Sequence, residues 1–369
     1  MSSDLLSIAR SGSQAARAAL DVTAQNIANA SSEGYVRRSA RLTEVVGPSG
    51  LGRIGETSLS GVRLSGVVRN ADMFRQAEVR RTGSDAARAS AELTGLENVE
   101  TAIEQANVFP AVVEFEAALQ RLSADPVNPS LRAAVVEDAR TMTRAFGIAS
   151  SSLDAVGEGL RFEAGSDVDQ VNVLAGELAR VNTRLARTVE GSGDRAMLLD
   201  QRDNLLQNLS ERVDVTTSFS ADQTVEVRLG GAGGPALVSR GTASPLAMAT
   251  GADGTIGFTV GGAAVTPGGG SLAGRAQALD QLADARDRLD LIAVTLVATV
   301  NGAQANGAAL DGTPGQPMLS GTSAADMALT FDNGDLIATA PAGSDPGSRD
   351  AGNLTALRDA IASADPAGA

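Results

Sequence analysis

Histidine, cysteine, lysine and tryptophan are all absent from this 369-residue chain, and Tyr35 is its only tyrosine. Without His or Cys, the usual zinc, haem and iron–sulfur ligand sets are excluded. So are Ser-His-Asp and Cys-His nucleophiles. Without Lys there is no Ser-Lys pair, no Schiff base and no Walker-type phosphate loop. Only carboxylate chemistry stays open, and no cofactor or metal is expected. The absence of Cys also suits passage through an oxidising space. Eight Phe join Tyr35 as the only aromatics, and much of the 43% hydrophobic content is alanine. Thin Ala/Leu/Val cores and helix–helix packing are therefore expected.

Long apolar runs are lacking too. The most apolar stretch, Leu291–Val300, is bounded by Asp290 and Asn301. It is too short for a bilayer, so no membrane insertion is expected. Basic residues number 30 against 44 acidic ones, for a net charge of −14. Such a chain repels phosphates, which argues against nucleic acid as the main partner. Met1–Ile8 has neither a basic n-region nor an apolar run, so if the chain is secreted, a route that needs no cleaved leader is expected.

What is present is periodicity. Leu5, Ile8, Gly12, Ala15, Ala19 and Val22 recur at spacings of three and four, a helical seam with small residues at its centre. Leu6, Ala9, Ala16, Leu20 and Ile27 flank it. Both an ordinary core helix and a helix with close partners on more than one side fit this pattern. The whole chain reads as α+β, an elongated multi-domain molecule with a long helical-bundle or coiled-coil domain and β-rich outer insertions. Six segments are read: 1–34, the N-terminal helix and its exit; 35–72, an extended β arm; 73–212, helical; 213–272, β-rich; 273–306, a long returning helix; 307–369, β-rich with a short helix. Local signals place a helix break at Gly83-Ser84, an N-cap at Ser130, a looser stretch at Gly157-Glu158-Gly159 and a C-cap at Gly302. Asp332–Asp335 reads as a hairpin turn between Leu329–Phe331 and Leu336-Ile337.

Candidate chemistry is sparse. Gly50-Leu51-Gly52-Arg53-Ile54-Gly55 matches G-x-G-x-x-G, but no helix-forming sequence follows it, so a turn in the arm is the better reading. The glycine clusters near 230 and 268 read as hairpin loops. Acidic residues sit mostly beside Arg, as in Asp284, Arg286, Asp287 and Arg288, the mark of solvated helix faces. The segment Asn26-Ile27-Ala28-Asn29, followed by Ser32, Gly34 and Tyr35, is more specific. Asn is a poor mid-helix residue because its amide competes for backbone bonds. Two of them three apart at a helix end point to particular amide hydrogen bonds.

This segment resembles the N-terminal signature of bacterial flagellar axial proteins, the rod/hook superfamily. Three further stretches are similar to the hook–filament junction branch: Gly34-Tyr35-Val36-Arg37-Arg38; Leu198–Leu206 with its core of Leu199, Asp200, Arg202 and Asp203; and Asn306–Met318, with Met318 where Phe is usual. The resemblance implies a structural, non-enzymatic protein outside the cell, at the junction of hook and filament. It implies self-association through Leu5, Ile8, Gly12, Ala15, Ala19, Val22, Asn26, Ile27 and Asn29. Implied partners are the hook protein below, a second junction protein above, and the flagellar export apparatus with its chaperone. The rivals are another hook or distal-rod component, a secreted carboxylate-dependent glycosidase, and a coiled-coil adhesin. The family's closing C-terminal helix reads as missing at Ala369, so the N-terminal helix is expected to fray for want of a partner.

Overall fold

The computed structural model describes residues 2–32, 34–46 and 59–363. The Gly50–Gly55 motif lies outside them. Contacts divide the chain into two compact units, each assembled from separated stretches of sequence.

The first unit holds Met1–Ser90, Ala164–Ala249 and Gly257–Gly274. Helix α1 (Ser2–Ala28) leads to an antiparallel hairpin of β1 (Arg38–Val46) and β2 (Leu59–Arg69). The hairpin folds back onto the helix seam. Ala15 and Val22 are buried there, and Gly12 and Ala19 are half-buried. The small seam residues let strand backbone come close: the Val62 N–H donates to Ser11 Oγ at 3.2 Å. The helix therefore has a partner within the chain, and the premise of the fraying expectation does not hold. The flank stays open, with Leu6, Leu20 and Ile27 about 70% exposed, and so does Leu5 at the start of the seam.

Helix α2 (Met73–Gln105) begins in this unit, and α3 (Val108–Ala124) and α4 (Pro129–Leu185) follow in the chain. Helix α5 (Gly193–Ser210) precedes a four-stranded antiparallel sheet of β3 (Val215–Phe219), β4 (Val225–Leu229), β5 (Ala236–Ser239) and β6 (Thr242–Ala243). A second sheet joins β7 (Leu246–Thr250), β8 (Ile256–Val260) and β9 (Ala263–Val265). The inward residues Val225, Val227 and Leu229 alternate along β4, as a half-buried strand requires.

The second unit holds Ala91–Glu163, Thr250–Ile256 and Arg275–Ala369. Its core joins Phe115, Leu119 and Leu122 of α3, Met142, Phe146 and Leu153 of α4, and Leu289 and Leu296 of α6 (Gly270–Ala305). Short strand pairs follow: β10 (Gly307–Ala308) with β13 (Ala340–Pro341), and β11 (Leu319–Ser320) with β12 (Ala328–Leu329). Helix α7 (Gly352–Ser363) closes the core through Leu354, Leu357 and Ile361. Arg132, fully buried, donates to the carbonyls of Pro126, Gly334 and Ile337 and to Thr339 Oγ1 at 2.6–3.0 Å.

Several local expectations are corrected. Gly83-Ser84 and Gly157-Glu158-Gly159 do not interrupt α2 and α4; flanking helix formers and packing outweigh a glycine penalty of about 1 kcal/mol. The side chain that caps α4 is Asn128, which accepts from Ser130 N and Leu131 N. Helix α6 passes Gly302 and runs to Ala305. Asn333 caps a short 3-10 turn at Gly334–Leu336, and Leu329 pairs with Leu319 instead of forming the expected hairpin. The family-like turn at Asn306–Met318 wraps the end of α6. A Cβ on Gly315 would lie 2.1 Å from the Gln304 carbonyl, and Met318 is fully buried.

Candidate functional site

The exit of α1 is fixed by one side chain. Asn26 Nδ2 donates to the Arg38 carbonyl at 2.7 Å, and Asn26 Oδ1 accepts from Arg38 N–H at 2.8 Å. The amide thus pairs with extended backbone as a neighbouring strand would. Tyr35 OH donates to the same Oδ1 at 2.9 Å. Asn29 turns inward on its own helix and donates to the Gln25 carbonyl. Gly34 is left-handed, with φ of 71°, and a Cβ there would lie 1.7 Å from Asn204 Oδ1 of α5. Glycine is needed at this position for both reasons.

Asn204 belongs to the Leu198–Leu206 segment, and the signature meets that segment's acidic residues as well. Arg38 Nη2 and Arg69 Nε lie 2.6 Å from the two oxygens of Asp200. Arg69 Nη2 reaches Asp203 Oδ2 at 2.6 Å, where Gln76 Nε2 also donates at 3.0 Å. Arg202 Nε and Nη2 donate to Asp203 Oδ1 at 2.9 and 2.7 Å, while Nη1 donates to the Gln223 carbonyl. The Arg202 guanidinium stacks 4.7 Å from the Phe219 ring centre, and that of Arg38 5.3 Å from Tyr35. Arg202 is 2% exposed and Asp203 8%. Burial lowers the Arg202 pKa, and the Asp203 charge opposes that shift.

The result is a buried ionic clasp joining the helix exit and hairpin to α5. It brings together Asn26, Gly34, Tyr35, Asp200, Arg202 and Asp203 from the sequence reading. Leu199 is half-buried beside it. Leu5, Ile8, Gly12, Ala15, Ala19 and Val22 stand farther along α1, and Ile27 points to solvent at 73% exposure. Arg69, Gln76 and Arg80 were not legible as members, because only the hairpin and the path of α2 bring them here. Such a site holds chain segments together. Among the described residues no group of acidic side chains could hold a metal ion, and no helix is long and apolar enough to cross a membrane.

Comparison with known proteins matches both halves of the clasp. The family model of the flagellar hook-associated protein FlgK helical domain matches residues 93–319. That of the flagella basal body rod protein matches residues 6–35. Flagellar hook-associated protein 1 of Escherichia coli (strain K12) is 28% identical over 250 residues, covering 66% of this chain and 45% of that protein. The protein of the same name from Bacillus subtilis (strain 168) is 29% identical over 241 residues, covering 61% and 47%. The solved flagellar hook junction protein FlgK from Burkholderia pseudomallei superimposes with a TM-score of 0.56 at 22% identity, over 67% of this chain and 46% of that one. This last likeness concerns the fold alone. The chain spans just under half the length of these relatives.

Proposed function

The chain belongs to the flagellar hook-associated protein FlgK helical-domain family, and we propose that it is a non-catalytic structural part of the bacterial flagellum, joining hook to filament. One observation carries this reading. The clasp ties the rod-like segment (Asn26, Gly34, Tyr35) to the FlgK-like segment (Asp200, Asp203, Asn204). A rod or hook component would need the first segment alone.

In this reading α1 has two faces with separate tasks. Ala15 and Val22, with Gly12 and Ala19, carry the hairpin. Leu5, Ile8 and Ile27 face neighbouring subunits in the flagellar axis. Gly34, Tyr35 and the Leu199–Asp203 motif set the angle at which the helix leaves. The partners are further copies of the chain, the hook protein below and a second junction protein above. The export apparatus delivers the chain to the cell exterior.

Electron microscopy of cells lacking this gene tests the proposal. Bare hooks with unpolymerised flagellin in the medium are expected. Missing hooks would move the chain to the rod or hook, and normal filaments would overturn the assignment.

A further inference from the structure

The clasp sets four guanidiniums, from Arg38, Arg69, Arg80 and Arg202, against the two carboxylates of Asp200 and Asp203. Both carboxylates are paired at both of their oxygens. Asp200 serves Arg38 and Arg69; Asp203 serves Arg69, Arg202 and Gln76. Arg80, 7% exposed, makes no hydrogen bond to any described residue. Its electrostatic neighbours are Asp203, which attracts it, and Arg202, which repels it. Burial lowers the Arg80 pKa against the pull of Asp203, so a cation with no acceptor among the described residues is held there with little compensation from the fold.

Arg80 lines a cleft of about 210 Å³ with Tyr35, Arg75, Gln76, Asn204 and Gln207. Two guanidiniums and three side-chain amides make its wall rich in donors. Arg75 stands exposed beside its Asp72 partner, and the one carboxylate among the described residues of the cleft wall, Asp203, is paired with Arg69 and Arg202. The volume is below the roughly 300–1,000 Å³ of sites that enclose a whole small molecule, yet ample for a carboxylate head group. We propose that this cleft is a carboxylate subsite in which Arg80 supplies the anchoring cation. The carboxylate comes from an acidic side chain of a second copy, of which this chain offers 44, or from a free small carboxylate. The proposal stands apart from the flagellar assignment; failure of carboxylate binding would leave the deletion phenotype untouched.

The probe is acetate, exchanged for chloride at constant ionic strength on the full chain. The expected result is a saturable shift of the Arg80 Nε–H resonance, with a rise in Tm that follows acetate concentration by linkage. Arg80→Met should abolish that rise and, in chloride, be as stable as the parent chain or more so. If the carboxylate belongs to a second copy, acetate also weakens self-association in sedimentation; if it is free, self-association is unchanged. An Arg80 resonance indifferent to acetate would overturn the proposal. So would an equal Tm response in Arg80→Met, or a Tm several degrees lower for that variant in chloride. The resonance titration needs no variant, so a misfolded Arg80→Met leaves the test intact.

Discussion

Asp203→Asn is the sharpest probe of the clasp. The substitution keeps the side-chain shape and one oxygen but removes the charge shared by Arg202 at 2.7 Å and Arg69 at 2.6 Å. Arg202 is 2% exposed, and the side chain of Arg69 is 7% exposed, so water cannot replace the lost partner. Removing one member of a buried pair costs about 3–5 kcal/mol because the other charge stays buried. Asp200 still faces Arg69, which places the cost near the low end, at about 3 kcal/mol. With a urea slope of about 1–3 kcal/mol/M, the midpoint should fall by about 1–3 M.

The chain supplies its own reporter. Tyr35 is the only tyrosine, tryptophan is absent, and Tyr35 sits in the clasp. Its emission therefore follows the first unit alone, while far-UV circular dichroism follows both. The Tyr35 transition should move and the dichroism of the second unit should not. In a cycle with Arg202→Met, the double variant should lose less than the sum of the singles. A loss below about 1 kcal/mol would class the pair with screened surface bridges and refute the reasoning. Strict additivity would do the same.

Five other outcomes follow from the same geometry. Asn26→Ala should cost about 2–3 kcal/mol, through two backbone bonds and the tyrosine acceptor, and should speed amide exchange at Arg38; Tyr35→Phe should cost about 1 kcal/mol by dichroism. Gly34→Ala should cost more than the roughly 1–2 kcal/mol of a left-handed backbone, and Asn204→Ala in the same chain should recover the steric part in urea titrations. Arg132→Met should cost about 3–5 kcal/mol by stranding buried carbonyls, in a transition seen by dichroism and missed by Tyr35. Burial raises the pKa of Asp214 against the pull of the Gly268 and Gly269 N–H groups. A raised carboxyl binds its proton more tightly folded than unfolded, so its stabilising share is lost as pH climbs from the ordinary carboxylate value to the raised one. Asp214→Asn should therefore match or exceed the parent's stability at neutral pH, with the gap closing as pH falls through that window.

Legibility in the sequence followed the range of each interaction. The three-four spacing of Leu5 to Val22 is a local property, and α1 appears where it places a helix. Asn26 was legible for the same reason, since its cost within a helix calls for a compensating bond. Its neighbour Asn29 raised the same expectation and serves only its own helix. Arg69 and Arg80 carry no local mark; the hairpin return and the direction of α2 bring them to α5, and no spacing rule encodes that. Arg132 reads as one more charge on an amphipathic helix, yet its four partners include three from residues 334–339.

Asn26 also belongs to a wider pattern. Asn172 pairs with both backbone groups of Leu246, Asn182 with those of Val225 and with the Arg240 carbonyl, and Asn301 with Met318 N and both groups of Leu319. Each amide projects from a helix and binds extended chain at two or more points. With so few aromatics, these small strands have little side-chain area to grip a helix. A one-residue slip would turn every strand side chain to the other face, and aliphatic packing on alanine resists such a slip weakly. A two-point amide bond resists it strongly, because a slipped strand leaves donor and acceptor unpaired, at about 1–3 kcal/mol for each buried group. The asparagines thus accept a poor helix propensity to specify register. Asn182, 1% exposed, is the strictest case: its amide holds β4 and the loop after β5 to one turn of α4, so Asn182→Leu, similar in size and apolar, should loosen that sheet more than its added apolar surface secures it.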